Sequence, residues 1–136
     1  MTATPKTQPS IRYPQKTVIR AERAMLCAPL TLNLFATMVF QSVSLAAIAG
    51  PSGLTHNYSR RLLSERTVEA ELLWLIQVGL LRREVDGQGL TDSFRITPLG
   101  RQLVQKWQTR GPNGRYAPTL RDRLYNALSR WFKPPF

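Results

Sequence analysis

Residues 64–89 read SERTVEAELLWLIQVGLLRREVDGQG, and residues 94–104 read FRITPLGRQLV. Ser64 is a favourable N-cap, and the acidic residue that follows it suits the positive end of a helix. Apolar residues then recur at helical spacing until Gly79, which favours the end of a helix. The pattern therefore predicts a helix over residues 65–78. Its predicted buried stripe consists of Val68, Leu72, Leu75 and Ile76.

The stretch after this helix predicts a β-hairpin. Residues 80–85 (LLRREV) form a candidate strand, residues 86–89 (DGQG) a turn, and residues 93–97 (SFRIT) the returning strand. Pro98 then fits the first position of another helix, whose apolar residues repeat every four positions. Those apolar residues are Leu99, Leu103 and Trp107.

These segments resemble the recognition helix, hairpin wing and following helix of bacterial winged helix-turn-helix regulators, broadly of the MarR, PadR and ArsR kinds. The resemblance covers about residues 59–107 and is specific for the fold rather than for a subfamily. It implies an α+β fold that is mostly helical. A winged-helix domain over residues 26–108 would carry a wing of two or three strands and would be followed by an extra C-terminal helix.

The same resemblance implies a dimeric, DNA-binding transcriptional regulator without a cofactor. The helix over residues 65–78 would enter a major groove, and the wing, residues 80–97, would reach toward the backbone or the minor groove. The residues nearest the base edges would be Arg66, Thr67 and Ala70. The residues placed to contact phosphates would be Arg60, Arg61, Arg82, Arg83 and Arg95, and Gln88 would make its contact from the tip of the wing.

The candidate recognition helix departs from this pattern in its charge. It holds Glu65, Glu69 and Glu71 against a single arginine, and acidic groups repel phosphate. Leu73 and Trp74 stand where the family is often basic, and they either pack inside the small domain or, if exposed, suit a protein contact. The alternative function is therefore a winged-helix protein–protein interaction module that docks a partner there, without sequence-specific DNA binding.

Composition limits the chemistry available to the chain. A length of 136 residues allows one domain, and 19 basic residues against 8 acidic ones give a net charge of +11, which attracts polyanions. Cys27 and His56 are the only residues of their types, so neither an internal disulfide nor a Cys/His metal cluster is possible. We expect no enzyme activity, with His56 as a surface or cap residue and Cys27 as a small core residue rather than an oxidant sensor.

The first fifty residues fall into two parts. Residues 1–25 hold three prolines and five basic residues against one acidic residue, which predicts a flexible basic arm. Residues 26–50 carry no charge, so a membrane anchor is a third interpretation, and Ala47-Ile48-Ala49 resembles a signal-peptidase site. Six polar residues inside the run favour a buried helix instead, in a cytoplasmic protein without a membrane span. They are Thr31, Asn33, Thr37, Gln41, Ser42 and Ser44.

Residues 109–119 are rich in turn formers and predict a linker to a C-terminal helix in residues 120–136. One side of this helix carries an apolar stripe, formed by Leu120, Leu124, Leu128 and Trp131, and its other sides carry cations. Such a helix is typical of a dimer interface or a membrane surface. We predict the dimer, because winged-helix regulators usually bind paired half-sites, with a helix folded onto its own domain as the alternative.

Overall fold

The structure, a computed structural model, describes residues 12–110 and 116–131. Its architecture is α+β and mostly helical, with one three-stranded antiparallel sheet among the described residues. The elements in chain order are α1 (Gln15–Cys27), α2 (Leu32–Phe40), β1 (Val43–Ser44), α3 (Leu45–Ile48), α4 (Gly50–Thr55), α5 (Glu65–Gln77), β2 (Leu81–Asp86), β3 (Gly89–Ile96), α6 (Pro98–Arg110) and α7 (Leu120–Trp131).

Helix α5 confirms the prediction from the sequence. Ser64 Oγ accepts a hydrogen bond from the Thr67 N–H at 3.1 Å, as an N-cap does. At the other end, Gly79 adopts a φ of +88°, which a glycine reaches at little cost, and the chain leaves the helix there. The predicted stripe is buried at three of its positions and half-buried at Ile76.

The hairpin is also confirmed, with a longer second strand than predicted. Asp86 pairs with Gly89, so only Gly87 and Gln88 form the turn, and β3 begins at Gly89 rather than near Ser93. Strand β1 pairs with the free side of β3, which gives the order β1-β3-β2. This third strand has two residues, too few to produce a periodic pattern in the sequence.

Helix α6 begins as predicted. Thr97 Oγ1 accepts a hydrogen bond from the Gly100 N–H at 3.1 Å, and Pro98 occupies the first helical position. A Cβ at Gly100 would collide with the Leu80 carbonyl oxygen and with Ile96, so a glycine allows α6 to pack directly on the sheet. The predicted apolar residues of this helix, Leu99, Leu103 and Trp107, are all buried.

The N-terminal segment is not a flexible arm throughout, so that part of the prediction was wrong. Helix α1 packs into the core, where Ala21 and Met25 are fully buried. The composition of residues 1–25 is dominated by prolines, but the last of them, Pro14, is the N-cap residue, and apolar residues follow it at helical spacing. Residues 1–11 lie outside the described residues.

The uncharged stretch, residues 26–50, is largely buried but is not one helix, which corrects the prediction. It contains the end of α1, all of α2, β1 and α3, and the start of α4. Thr31 and Ser44 are N-caps, each accepting a backbone N–H bond with its side chain. These polar residues therefore start new helices. Leu34 and Met38 of α2 are in the core.

The predicted linker, residues 109–119, begins inside α6, and its other described end is attached to the domain. Helix α6 continues to Arg110, and residues 111–115 lie outside the described residues. The hydroxyl of Tyr116 donates a hydrogen bond to the Met25 carbonyl oxygen at 3.2 Å, and its ring meets Trp107 edge-on. These contacts attach the chain to α1 and α6 before α7 begins.

The helices surround a core that includes the inner side of the sheet. Helices α2 and α6 pack on each other and on β3, α3 packs on α5, and α7 packs along α1. The largest side chains at the centre are Phe35 and Phe94, neither of which is exposed. Within residues 12–110 and 116–131, every helix is too short or too polar to cross a membrane.

Candidate recognition region

The outer face of α5 is mixed in charge. It consists of the exposed residues Arg66, Glu69, Ala70, Leu73 and Gln77, which recur every three or four positions. One cation and one anion lie on this face, so it presents no positive stripe.

The threonine predicted near the base edges serves the helix cap instead. Thr67 is half-buried, and its Oγ1 lies 3.0 Å from Ser64 Oγ, which donates to it. Arg66 and Ala70 are exposed as expected of groove-facing residues. Of the three residues predicted to contact bases, Arg66 and Ala70 are therefore exposed, whereas the Thr67 hydroxyl is hydrogen-bonded within the helix cap.

The arginines of β2 are held by acidic residues of the hairpin itself. Arg82 Nη1 lies 2.6 Å from Glu84 Oε2, and Arg83 Nη1 lies 3.3 Å from Asp92 Oδ1. The guanidinium of Arg83 also lies over the Phe94 ring, 4.9 Å from its centroid. Both arginines were predicted to meet phosphates, and their charges are here balanced within the hairpin.

The two other predicted residues of the hairpin differ in exposure. Arg95 is half-buried and donates a hydrogen bond to the Val39 carbonyl oxygen at 2.9 Å, which ties β3 to the end of α2. Gln88 is exposed in the turn, where its backbone N–H donates to Asp86 Oδ1 at 2.7 Å. Only the side chain of Gln88 is therefore in the open position that a wing-tip contact requires.

The two arginines before α5 also behave differently. Arg60 donates to the Leu30 and Tyr116 carbonyl oxygens, each at 3.3 Å, and lies over the Tyr116 ring. Arg61 is exposed and has no hydrogen bond or ion pair to its side chain from a described residue. Arg66 shares that property. The predicted nucleic-acid site thus offers two unpaired cations, one on each side of the Ser64 cap.

The candidate recognition region, residues 65–97, is acidic although the chain is basic. It contains four arginines against six acidic residues, while the rest of the chain holds the other fifteen basic residues and two acidic ones. Glu65, Glu69 and Asp86 form no ion pair with a described residue. The sequence contains this imbalance, which a count over residues 65–97 reveals and the total charge conceals.

The two residues that were predicted to dock a partner if exposed differ in their exposure. Trp74 is 5% exposed, and its Nε1 donates to Asn126 Oδ1 of α7 at 3.1 Å, so of the two alternatives for Trp74 the structure has the one in which it packs inside the domain. Leu73 is 47% exposed. Val85 and Leu90, opposite each other near the hairpin turn, are 66% and 75% exposed and were missed from the sequence.

Helix α7 folds onto its own domain and still leaves its apolar stripe outside. Its inner side reaches α5 through Asn126 and through Arg130, whose Nη1 lies 3.3 Å from Glu71 Oε2. All four residues predicted as a dimer interface are exposed, by 41% to 85%: Leu120, Leu124, Leu128 and Trp131. The stripe is thus accessible to a partner without unfolding of the helix.

The single cysteine and the single histidine each lie at the end of a helix. His56 is exposed at the end of α4, with its Nδ1 2.9 Å from the Ser52 carbonyl oxygen, as expected of a cap residue. Cys27 is half-buried, and burial, followed by the charge of Asp122, raises the pKa of its thiol. The described part of the chain has no cluster of three His, Cys, Asp or Glu residues that could hold a metal ion.

A family model of Npun_F0494-like proteins matches residues 11–130. The chain belongs to this family. The Npun_F0494-like match runs from the residues before α1 to the last turn of α7, so both terminal helices are part of what defines the family. Neither the curated proteins nor the solved structures contain a significant match to the chain.

Proposed function

We propose that this protein is a non-enzymatic winged-helix module that binds another protein through the candidate recognition region. The element order supports the winged-helix assignment, because a helix (α2), a short strand (β1), a second helical segment (α3 and α4) and a capped helix (α5) precede a hairpin. The sheet order also fits, because β1 pairs with β3, the second strand of the hairpin.

The packing of α5 supports a role in recognition. Helix α3 packs on α5, and residues 56–64 connect α4 to the Ser64 cap, so α3, α4 and α5 form a helix-turn-helix unit. In such units the second helix presents its outer side to the bound molecule. In this chain that side is the outer face of α5.

The distribution of charge is the observation that carries the choice of a protein partner. DNA binders neutralise phosphates with lysine and arginine, and this term dominates their affinity. Residues 65–97 hold more acidic than basic residues, and three of their four arginines already bond to acidic or carbonyl groups within the fold. A DNA duplex at this surface would meet unpaired Glu65 and Glu69 beside the one free arginine.

Exposed apolar side chains indicate the chemistry of the partner. Leu73, Val85 and Leu90 give the region apolar surface, and an apolar centre with a polar rim is typical of protein interfaces. The unpaired acidic residues favour a partner with basic residues around an apolar patch, because complementary charges speed association and exclude wrong partners.

A DNA-binding regulator is the second candidate function. It is favoured by Arg61 and Arg66, which are exposed and unpaired on either side of a helix N-terminus, and by the net charge of +11. In this alternative the protein would act as a dimer through the stripe of α7, with one recognition helix in each half-site.

A salt titration of DNA affinity separates the two candidates. We expect the double variant Arg61→Ala/Arg66→Ala to retain the dependence of DNA affinity on salt shown by the unaltered protein. The matched double variant Arg121→Ala/Arg123→Ala, on α7, should flatten the dependence by about 1–2 units of slope, because non-specific binding would use the basic helices. The DNA-regulator hypothesis replaces ours if Arg61→Ala/Arg66→Ala both flattens the dependence of DNA affinity on salt and removes a preference for one DNA sequence.

A site-specific cross-linking experiment tests the protein partner directly. A photoreactive residue at Leu90 should capture one protein in cells, and that protein should then bind when both components are purified. Leu90→Asp should weaken the purified complex about 30-fold or more, as expected of an interface anchor. Leu62→Asp is the control, because Leu62 is 63% exposed and lies outside the region. Equal losses in the two variants would contradict the proposal.

A further inference from the structure

A cavity of about 680 Å³ lies between α1 and α7, outside the candidate recognition region. We call it the α1–α7 groove. Cationic side chains of α1 line it, and apolar side chains line it from both helices. The residues used below are Lys16, Ile19, Arg20, Arg23, Tyr125 and Leu128. The volume is in the range of sites that bind small molecules.

Two arginines of the groove have a buried Nε without a hydrogen-bond acceptor in the described part of the chain. Arg20 Nε is buried and has no hydrogen-bond acceptor among the described residues, and the same is true of Arg23 Nε, whose nearest carboxylate oxygen is 4.0 Å away on Asp122. Lys16 forms no ion pair with a described residue, and no acidic residue lines the groove. A buried N–H without an acceptor is costly, so a bound anion would relieve that cost at Arg20.

The remaining walls of the groove suit an apolar body. Ile19, Tyr125 and Leu128 are each 41% exposed, and the Arg23 guanidinium lies over the Tyr125 ring, 4.8 Å from its centroid. These side chains contribute apolar surface within reach of the cations. A ligand with one negative end and a flat or chain-like apolar part would contact both the cations and the apolar side chains of the groove.

We propose that the α1–α7 groove binds a small amphipathic carboxylate. The carboxylate accepts hydrogen bonds from Arg20, with Lys16 and Arg23 adding charge, and the apolar part packs against Ile19, Tyr125 and Leu128. The site does not depend on the function of the candidate recognition region. Helix α7 contacts both places, because its Asn126 side chain, which does not line the groove, accepts the Trp74 hydrogen bond.

Two naphthalene probes test the chemistry of the site on the full chain. Naphthalene-2-carboxylate has the charged end that the groove requires, and naphthalene-2-methanol has the same apolar body without the charge. In calorimetric titrations we expect the carboxylate to bind at least about tenfold more tightly than the alcohol. Arg20→Gln should remove that preference, while Arg101→Gln, an exposed arginine of α6 outside the groove, should leave it unchanged.

Two further variants secure the interpretation. Ile19→Asp should weaken binding of both probes, because it places a charge where the apolar body packs. If Arg20→Gln shows a lowered unfolding temperature, Lys16→Gln replaces it, with a smaller loss of carboxylate affinity expected. The proposal is overturned if the two probes bind equally to the unaltered protein, if the cation variants retain full carboxylate affinity, or if Arg101→Gln loses as much as they do.

Discussion

Residues 65–97 and the α1–α7 helix pair differ in whether their cationic side chains are paired with acidic ones. In the hairpin the arginines of β2 lie beside acidic residues on the same or the neighbouring strand, so the charges cancel locally. Helices α1 and α7 together carry six basic residues and two acidic ones. Two of those basic residues, Lys16 and Arg20, face a groove that contains no acidic residue.

The difference shows that a net charge of +11 does not locate a binding surface. Net charge describes solubility and the attraction of polyanions, whereas a site requires cations that are exposed, unpaired and adjacent. The region that resembles a DNA reader has few such cations. Helices α1 and α7, which the resemblance does not cover, carry three exposed cations without an ion pair to a described residue: Lys16, Arg121 and Arg123.

Removing the contact that joins the two regions should have the largest effect. Trp74→Ala deletes a buried ring of α5 and leaves Asn126 of α7 without its donor. We expect a loss of about 3–5 kcal/mol in the free energy of unfolding, measured by denaturant titration. At a protein concentration low enough for the chain to be monomeric, Trp131→Ala is the matched control, because that ring is 81% exposed in the single chain, and it should change stability by less than about 0.5 kcal/mol.

Similar losses in the two tryptophan variants would contradict this expectation. A small loss in both would mean that the helix detaches easily. A large loss in both would mean that Trp131 is buried, which points to a dimer that persists at that concentration.

The elements predicted from the sequence were those with local signals. Ser64, Gly79, the DGQG turn and Thr97-Pro98 each specify a boundary within a few residues, by capping or by turn geometry. The sequence therefore predicted α5, the hairpin and α6 correctly. Their interior stripes followed because burial repeats with the helical period.

The elements that the sequence did not reveal depend on contacts between distant residues. Helix α1 was hidden by the prolines before it, and the interpretation of Thr31 and Ser44 as caps required knowing where the chain turns. The exposure of Trp74 could not be decided on α5 alone, because α7, some fifty residues later, covers it. Pairing of Arg82 and Arg83 likewise depends on the strand register.

Breaking the exposed stripe of α7 should change the oligomeric state without affecting the fold. We propose that a second copy of the chain covers this stripe apart from Leu128, which lines the α1–α7 groove, so Leu124→Asp should weaken the dimer by about 2 kcal/mol, a roughly 30-fold rise in its dissociation constant. Sedimentation equilibrium measures this constant. Leu54→Asp is the control, because Leu54 is 46% exposed and lies on α4. A chain that is monomeric before any substitution contradicts the prediction.

The ion pairs of the two regions should differ modestly in strength. Arg130 and Glu71 join α7 to α5, with side chains 29% and 17% exposed, whereas Arg82 and Glu84 lie two residues apart, with 52% and 29% exposed. We expect Arg130→Ala to cost up to about 1 kcal/mol and Arg82→Ala almost nothing, because exposed pairs are screened by solvent. Double-mutant cycles with Glu71→Ala and Glu84→Ala isolate each pair. A stronger coupling within the hairpin would contradict this order.

The smallest expected effect concerns the thiol at the end of α1. Burial and then the charge of Asp122 raise the Cys27 pKa above its ordinary value, although three nearby arginines lower it. At about pH 8 the folded protein should therefore hold less thiolate than the unfolded chain, and iodoacetamide should alkylate it more slowly. Measuring the rate against pH separates this cause from steric shielding, because the folded protein should reach its half-maximal rate at a higher pH. Asp122→Asn, which keeps an oxygen for the Thr119 N–H, should move that midpoint back down. A midpoint below that of the unfolded chain would show that the basic character of the α1–α7 pair dominates even at its half-buried cysteine.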